Sequence, residues 1–450
     1  MRFSLSIAIC PANAHLQSSR RAGRSIRTGG RRRGLLLLAL VFALTAGMGL
    51  AGRPAQAALG KAPVPLRTFS AEQVRSLAPL LRQSDVTLLE SEPGGQLKQV
   101  SLFTLVAAPP NVVRSVLLDA GKYTDFVRNF VASKVTPRAG GSFEHSYQLS
   151  YRVYTVDGTH LYVPQPGDAQ AGAPPVEIMD QDDPPGTARH YRWEFHSVAG
   201  ATVLAVYGYT DMHHSGGVID TLIRRVPQLE HGLALVSQAA LVLSMKKHAE
   251  QMFGSPPLMP PSGQASYDFL LERGLVVFLR NSPDGRLSEV SLVDRSSARA
   301  EVLLDNIKRM TDWSSFIPTI TKSADSAPRA GIPLMVDLVQ ALPLPLLSFH
   351  TLFGARTTSS SVDMYGVEGD LRGARMRWDV TPASGGVSQL VLRSSQQFDR
   401  ASLIIRQLYK LEPLFEYGIN VGLQLVFLRG VKTRAEQQSA PTTAAATLAK

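Results

Sequence analysis

Nucleophiles, metal ligands and titratable pairs are sparse in this chain of 450 residues. Its only cysteine, Cys10, lies near the N-terminus, ahead of an apolar run, so the body offers no thiolate, disulfide or cysteine metal site. The densest histidine group is Met212-His213-His214. Adjacent histidines on a strand point to opposite faces, and no HExxH or paired-carboxylate spacing accompanies them, so no metal and no cofactor is expected. No Gly-x-Ser-x-Gly elbow occurs. The Gly-Gly pairs at 94–95, 216–217 and 385–386 lack the following Lys-Ser/Thr of a phosphate loop and read as turns.

His145 stands out. Phe143, His145, Tyr147, Leu149, Tyr151 and Val153 alternate with Glu144, Ser146, Gln148, Ser150 and Arg152, the period of a half-buried antiparallel strand. The histidine therefore shares an otherwise apolar face with two tyrosines. There it could orient a ligand head group or act as a general acid–base, or it could be a core histidine satisfied by a tyrosine or backbone group. Asp119 and Asp305 are placed at the end of a short helix, where capping and turn hydrogen bonds explain aspartate. Arg192 and Arg377 alternate with Trp193 and Trp378, which puts the arginines outside and the tryptophans inside.

The elements that position these residues come in two copies. PGGQLKQVSL, starting at Pro93, aligns on PDGRLSEVSL, starting at Pro283, with six of ten positions identical. VLLDAGKYTDF from Val116 echoes VLLDNIKRMTDW from Val302, and YRWEF from Tyr191 answers MRWDV from Met376. LEHGLALVSQ from Leu229 matches FEYGINVGLQ from Phe415 at an offset of 186. Matches in one order at similar offsets mark a tandem duplication of two globular units, placed at 68–252 and 266–437. A proline-rich linker at 253–265 joins them and a patternless tail follows at 438–450.

In the first unit, Ser70 to Gln73 is a capping box. A strand follows from Gln96 to Ala107, then a helix opened by Pro110, with Thr124 or Asp125 capping a second short turn. Alternating strands come next, and a long helical pattern, on the order of 45 Å, ends the unit. Pro227 and Pro413 mark a kink or restart in the long helices. The fold class is α+β, with an apolar cavity expected between each long helix and its sheet.

This order of elements resembles the START-like superfamily, the polyketide cyclase/dehydrase or Bet v 1-like group. Val113, Leu117, Asp119, Tyr123, Asp125 and Phe126 match the family's helix-and-turn pattern. Asp305, Asp312 and Trp313 match it in the second unit, with Met310 in place of the tyrosine. Residues Val367 to Gly373, leading to Trp378, resemble the strand before the last hairpin, and Gly385-Gly386 its turn. The resemblance implies two tandem helix-grip domains, each a curved seven-stranded antiparallel sheet around a long C-terminal helix and a hydrophobic cavity. Family members bind lipids, sterols, quinones or hormones, and some catalyse cyclisation or dehydration.

The net charge of +11 includes nine arginines within residues 1–57, which hold no acidic residue, so the rest carries about +2. That excludes a nucleic-acid footprint on the body. The basic run Arg31 to Arg33, the apolar stretch to Leu50 and Ala55-Gln56-Ala57 together read as a signal peptide over 1–57. The chain is thus expected in the periplasm or cell envelope, anchored if the signal is not cleaved. The expected partner is a lipid or other hydrophobic small molecule, with transient membrane contact. The expected function is its binding or transfer, and the alternative is a cyclase or dehydratase acting on a polyketide-like substrate. Cavity walls are assigned to Phe126, Phe143, His145, Tyr147, Tyr151, Trp193, Leu229 and Leu233 in the first unit. In the second they are Trp313, Ile317, Trp378, Leu390, Phe415 and Ile419; this unit offers no evident match for His145, although His350 could play a similar part.

Overall fold

The computed structural model describes residues 3–4, 64–150, 155–166, 172–180, 189–211, 223–254, 266–282, 285–329, 331–341, 348–395, 400, 402–403, 406–407 and 415–440. Of residues 3, 4, 156, 415, 416 and 419 only the backbone is described. Nearly all of the leader, Tyr151, Met212 to His214, Pro413, and most of the linker and tail lie outside these residues.

Ser70 caps helix α1 (Ala71–Ser76) through the expected capping box with Gln73. A one-turn helix α2 (Ala78–Leu81) leads to strands β1 (Asp85–Ser91) and β2 (Leu97–Val106). Helix α3 (Pro110–Leu118) buries Val113, Val116 and Leu117, and the one-turn α4 (Tyr123–Phe126) follows. Lys122 precedes α4 without a side-chain cap, so Thr124 and Asp125 lie within that turn and do not cap it. Six strands then run as a meander: β3 (Phe130–Pro137), β4 (Phe143–Ser150), β5 (Thr155–Pro164), β6 (Gly172–Asp180), β7 (Arg189–Val198) and β8 (Ala201–Thr210). Helix α5 (Gln228–Phe253) closes the unit; at 26 residues it is about 39 Å long. Pro227 stands immediately before it, a helix start where proline costs nothing.

The second unit repeats the plan. It contains α6 (Asp268–Leu271), β9 (Leu275–Asn281), β10 (Leu287–Ser296), α7 (Ala300–Lys308), β11 (Ile320–Ser326) and β12 (Leu334–Ala341). β13 (Ser348–Thr357), β14 (Ser361–Gly369), β15 (Arg375–Pro382), β16 (Ser388–Ser395) and α8 (Phe415–Ser439) complete it. Gly385 and Gly386 take φ of 76° and 75° between β15 and β16, a turn that glycine allows.

All sixteen of these strands form one antiparallel sheet, in the order β3-β4-β5-β6-β7-β8-β2-β1-β9-β10-β16-β15-β14-β13-β12-β11; Phe3–Ser4 pairs with β5. Each unit contributes eight strands, one more than the resemblance implies. The additional strand is the first, and it joins the units: β1 pairs with β9 from Leu89↔Leu275 to Asp85↔Leu279. Thr87 faces Val277, its counterpart at the offset of 190, so the seam has internal twofold symmetry.

Strand alternation divides the molecule into layers. Val86, Leu88, Phe103, Leu105, Val203 and Tyr207 face outward under Phe69, α1, α2 and α6. Leu89, Val100, Leu102, Leu204, Val206 and their counterparts face inward with the buried sides of α3, α5, α7 and α8.

The structural register corrects one sequence match. Helices α3 and α7 both have nine residues and align at an offset of 190, as do β2 and β10. The VLLD echo, at 186, joins residues one helical turn apart. Asp119 does stand at the C-cap of α3, accepting from Lys122 at 2.7 Å. Asp305 lies inside α7 and ion-pairs with Arg309, the true C-cap. Tyr123 therefore corresponds to Trp313, not Met310. Both play one part: Tyr123 Oη donates to Leu117 O at 2.7 Å and Trp313 Nε1 to Asn306 O at 3.1 Å.

Candidate functional site in the first unit

The inner face of β4 to β7 carries a patch of polar rings. His145 is 1% exposed and stands opposite His160, while Tyr147 faces Gly158 and Phe143 faces Tyr162. Phe143 stacks on Tyr162 at 4.7 Å. Tyr123, Phe130, Tyr147 and Tyr162 surround the His145 ring at 5.2–6.0 Å. Tyr147 Oη lies 3.3 Å from His160 Nε2, and its ring occupies the space a Cβ on residue 158 would take, 2.4 Å from its Cζ. Glycine at 158 is what lets that tyrosine lie across the strand.

Burial sets the protonation of these groups. It lowers His145 from 6.5 to about 4 and, with help from Arg189, His160 to about 3, because an imidazolium there loses its hydration. Burial likewise raises Tyr147 to about 12 and moves Tyr123 and Tyr162 upward. All are neutral at pH 7. His160 is half-buried.

Among the buried polar atoms on the inner side with no hydrogen-bond partner among the described residues are His145 Nδ1, Trp193 Nε1 and Gln238 Oε1. Trp193 is paired with Val206, and Gln238 of α5 lies over Gly208, two residues on. The second unit repeats the tryptophan and the glutamine, as Trp378 Nε1 and Gln424 Oε1. Gln424 reaches Ser394, the counterpart of Gly208. A hydroxyl or a buried water, which both accepts and donates, suits such a pair.

The rest of the patch is not repeated. Matching ladder pairs places Val336 at the position of His145, Phe353 at His160, Leu338 at Tyr147 and Ala355 at Tyr162. Gly366, Ala374 and Met376 likewise replace Asp180, Arg189 and Tyr191. His350 is not an analogue of His145: it is exposed and bonds to Asp337 at 2.5 Å. Trp313 and Trp378, 6.2 Å apart, instead pack with Phe427 of α8 in a core from which both indoles are excluded from solvent.

The remaining wall assignments fall as follows. Phe126 stacks on His248 of α5 at 4.1 Å, closing one end of the first unit. Leu233 is half-buried, and Leu229 points at the other long helix, 3.1 Å from where a Cβ on Gly422 would stand. Ile317 and Leu390 are fully buried, Ile317 beside Gly430. The side chains of Phe415 and Ile419 lie outside the described residues, as does Tyr151. Sequence reasoning missed Tyr123, Ser133, His160, Tyr162 and Asp180. His160 and Tyr162 alternate in the run THLYV, a signal of the same kind that drew attention to His145.

Among the described residues no group of three histidines, cysteines or carboxylates is placed to hold a metal ion, and no helix is long and apolar enough to cross a membrane.

No protein-family model and no curated relative matches this chain. Solved structures do. The di-domain ARO/CYC BexL from the BE-7585A biosynthetic pathway aligns over 77% of this chain and 99% of its own, at 12% identity and a TM-score of 0.26. A START superfamily protein from Mycobacterium smegmatis aligns over 34% of this chain and 99% of its own, at 15% identity and a TM-score of 0.27. The STAR-related lipid transfer protein from Xanthomonas axonopodis covers 36% of this chain and 94% of its own, at 13% identity and a TM-score of 0.29. At such scores the strand order and helix placement above, rather than these overlaps, define the fold.

Proposed function

We propose that this is an exported protein that binds or transfers a hydrophobic small molecule, with each unit a START-like helix grip and the ligand held in the first. One observation carries the reading: buried polar positions on the inner wall of the first unit are apolar in the second. Desolvated imidazole and phenol groups that stay neutral, with Arg189 and Asp180 beside them, orient a ligand that apolar burial, about 25 cal/mol per Å², holds in place. The second unit, filled by Trp313, Trp378 and Phe427, serves as a packed partner. Native mass spectrometry of the purified full chain, followed by solvent extraction, is expected to find one hydrophobic ligand per chain. Two ligands per chain would refute the division of labour. Empty protein whose melting temperature no lipid or apolar compound raises would sink the reading itself.

A second reading, a cyclase or dehydratase, is favoured by the unpartnered His145 Nδ1, a neutral base among aromatic rings. Unchanged turnover of a polyketide-like substrate by His145→Ala would remove it.

A further inference from the structure

The hydrogen bonds around His145 fix its tautomer. A serine hydroxyl has one proton to give. Ser133 Oγ donates it to Ala120 O at 2.5 Å. The same bond exists in the second unit, from Ser323 Oγ to Met310 O, where no histidine is present. The serine proton is therefore committed to the carbonyl whether or not an imidazole is nearby. At the 2.7 Å contact between Ser133 Oγ and His145 Nε2, the ring must then be the donor. That leaves Nδ1 without a proton: a bare lone pair, buried, with no donor reaching it among the described residues. An unmet buried acceptor of this kind is unfavourable unless something fills it.

We infer that Nδ1 of His145 accepts a hydrogen bond from the bound molecule, so that the first unit selects a neutral, hydroxyl-bearing apolar compound, a phenol or alcohol, over an anion. This rests on the reading of the first unit as the ligand site. The wall explains the selection. At this atom the ring is uncharged, its lone pair repels a carboxylate or phosphate oxygen, and a buried anion there would forfeit its hydration, while the Arg189 guanidinium bears on Tyr147 and His160 rather than on His145. The surrounding rings of Tyr123, Phe130 and Tyr162 suit a flat or fused-ring body. The second unit, with Val336 at this position, carries no such selectivity.

Three matched fluorescent probes test this on the full chain: 1-naphthol, 1-methoxynaphthalene and 1-naphthoate. The naphthol is expected to bind roughly tenfold tighter than either of the others, the worth of one hydrogen bond to a buried acceptor. His145→Val, which installs the second unit's residue, is expected to erase that preference, so that the three probes bind the variant alike. Nitrogen NMR of histidine-labelled wild-type protein needs no variant. Nδ1 of His145 should resonate as an unprotonated nitrogen and Nε2 as a protonated one, with Nδ1 moving when naphthol is added. A protonated Nδ1 overturns the inference, and so does an Nδ1 that naphthol leaves unmoved because a fixed water already serves it. Equal binding of all three probes defeats the donor requirement but leaves the hydrophobic-ligand reading standing. Failure of every probe to bind sinks both.

Discussion

His145, His160 and His231 are neutral because the fold strips their hydration, and that makes the molecule acid-sensitive. His231, buried between the long helices beside Arg429, is lowered to about 2, by burial first and by that guanidinium second. All three would titrate near 6.5 in the unfolded chain, so above that pH neither state holds the proton and stability is unaffected. As the pH falls below 6.5, the unfolded chain takes up protons that the folded one refuses until about pH 4, 3 and 2 respectively. Stability must therefore decline with acid, by up to about 1.4 kcal/mol per pH unit for each histidine. His190 runs the other way. Burial alone would lower it, but its bonds to Glu177 and to Val64 O raise it, so its contribution is full below 6.5 and fades as the pH rises through the raised value. Denaturant titrations between pH 5 and 6.5, above the carboxylate range, should show the decline, and His145→Val should make it shallower. An identical slope in the variant would mean that His145 is protonated in the fold.

The long helices meet at a residue pair that the duplication explains. Gly232 of α5 and Gly418 of α8 are counterparts at an offset of 186, and they cross each other at the twofold. A Cβ on Gly232 would stand 2.8 Å from Gly418 O and 2.9 Å from Gly422 Cα, both backbone atoms that cannot swing away. Glycine inside a helix ordinarily costs up to about 1 kcal/mol against alanine, so a Gly→Ala change should stabilise. Here the sign reverses. Gly232→Ala is expected to destabilise by about 1–3 kcal/mol, as overpacked cores do, lowering the thermal midpoint. A neutral or stabilising effect would mean that the helices are not in contact at this point.

Over the whole molecule, the seam is held by charges that neither unit could bury alone. Glu90 at the end of β1 is 1% exposed, and Arg273 of the second unit grips it at 3.1 and 2.6 Å. The same arginine reaches the Arg67 carbonyl and lies 4.0 Å over the Phe69 ring, pinning the segment ahead of α1. On the inner side, Arg429 of α8 donates to Ser91 and Gly95 of the first unit. Asn281 bridges Asp85 and Tyr417. Removing one partner of a buried pair leaves the other uncompensated. Arg273→Ala should thus cost about 3 kcal/mol in equilibrium unfolding, Arg67 compensating only from an exposed position. A loss below about 0.5 kcal/mol, the value of a surface pair, would show that the units hold together without it.

How much of this was legible beforehand depends on the range of the interaction. The duplication, the capping box at Ser70, the helix at Pro110 and the inward faces of β4 and β7 follow from local spacing. Steric and solvation rules at two to four residues' separation are enough for those. The identical residues of the last match, Glu230, Gly232 and Gln238, were also readable as identities. Their roles were not, because a glycine at a helix crossing and a glutamine over a strand are defined by partners far along the chain. Local spacing even misled at VLLD, where a helix tolerates a one-turn slip in its apolar pattern and only strand pairing set the register. The polar wall belongs to the same class. His160 and Tyr162 join His145 through ladder pairs, and their counterparts Phe353 and Ala355 become comparable only once both ladders are aligned. Sequence alone determined that there are two α+β units and what each is built from. Tertiary structure decided that they share one sheet through β1 and β9, and that the positions of His145, Tyr147, His160 and Tyr162 are apolar in the second unit, because pairing and burial are properties of the assembled layers.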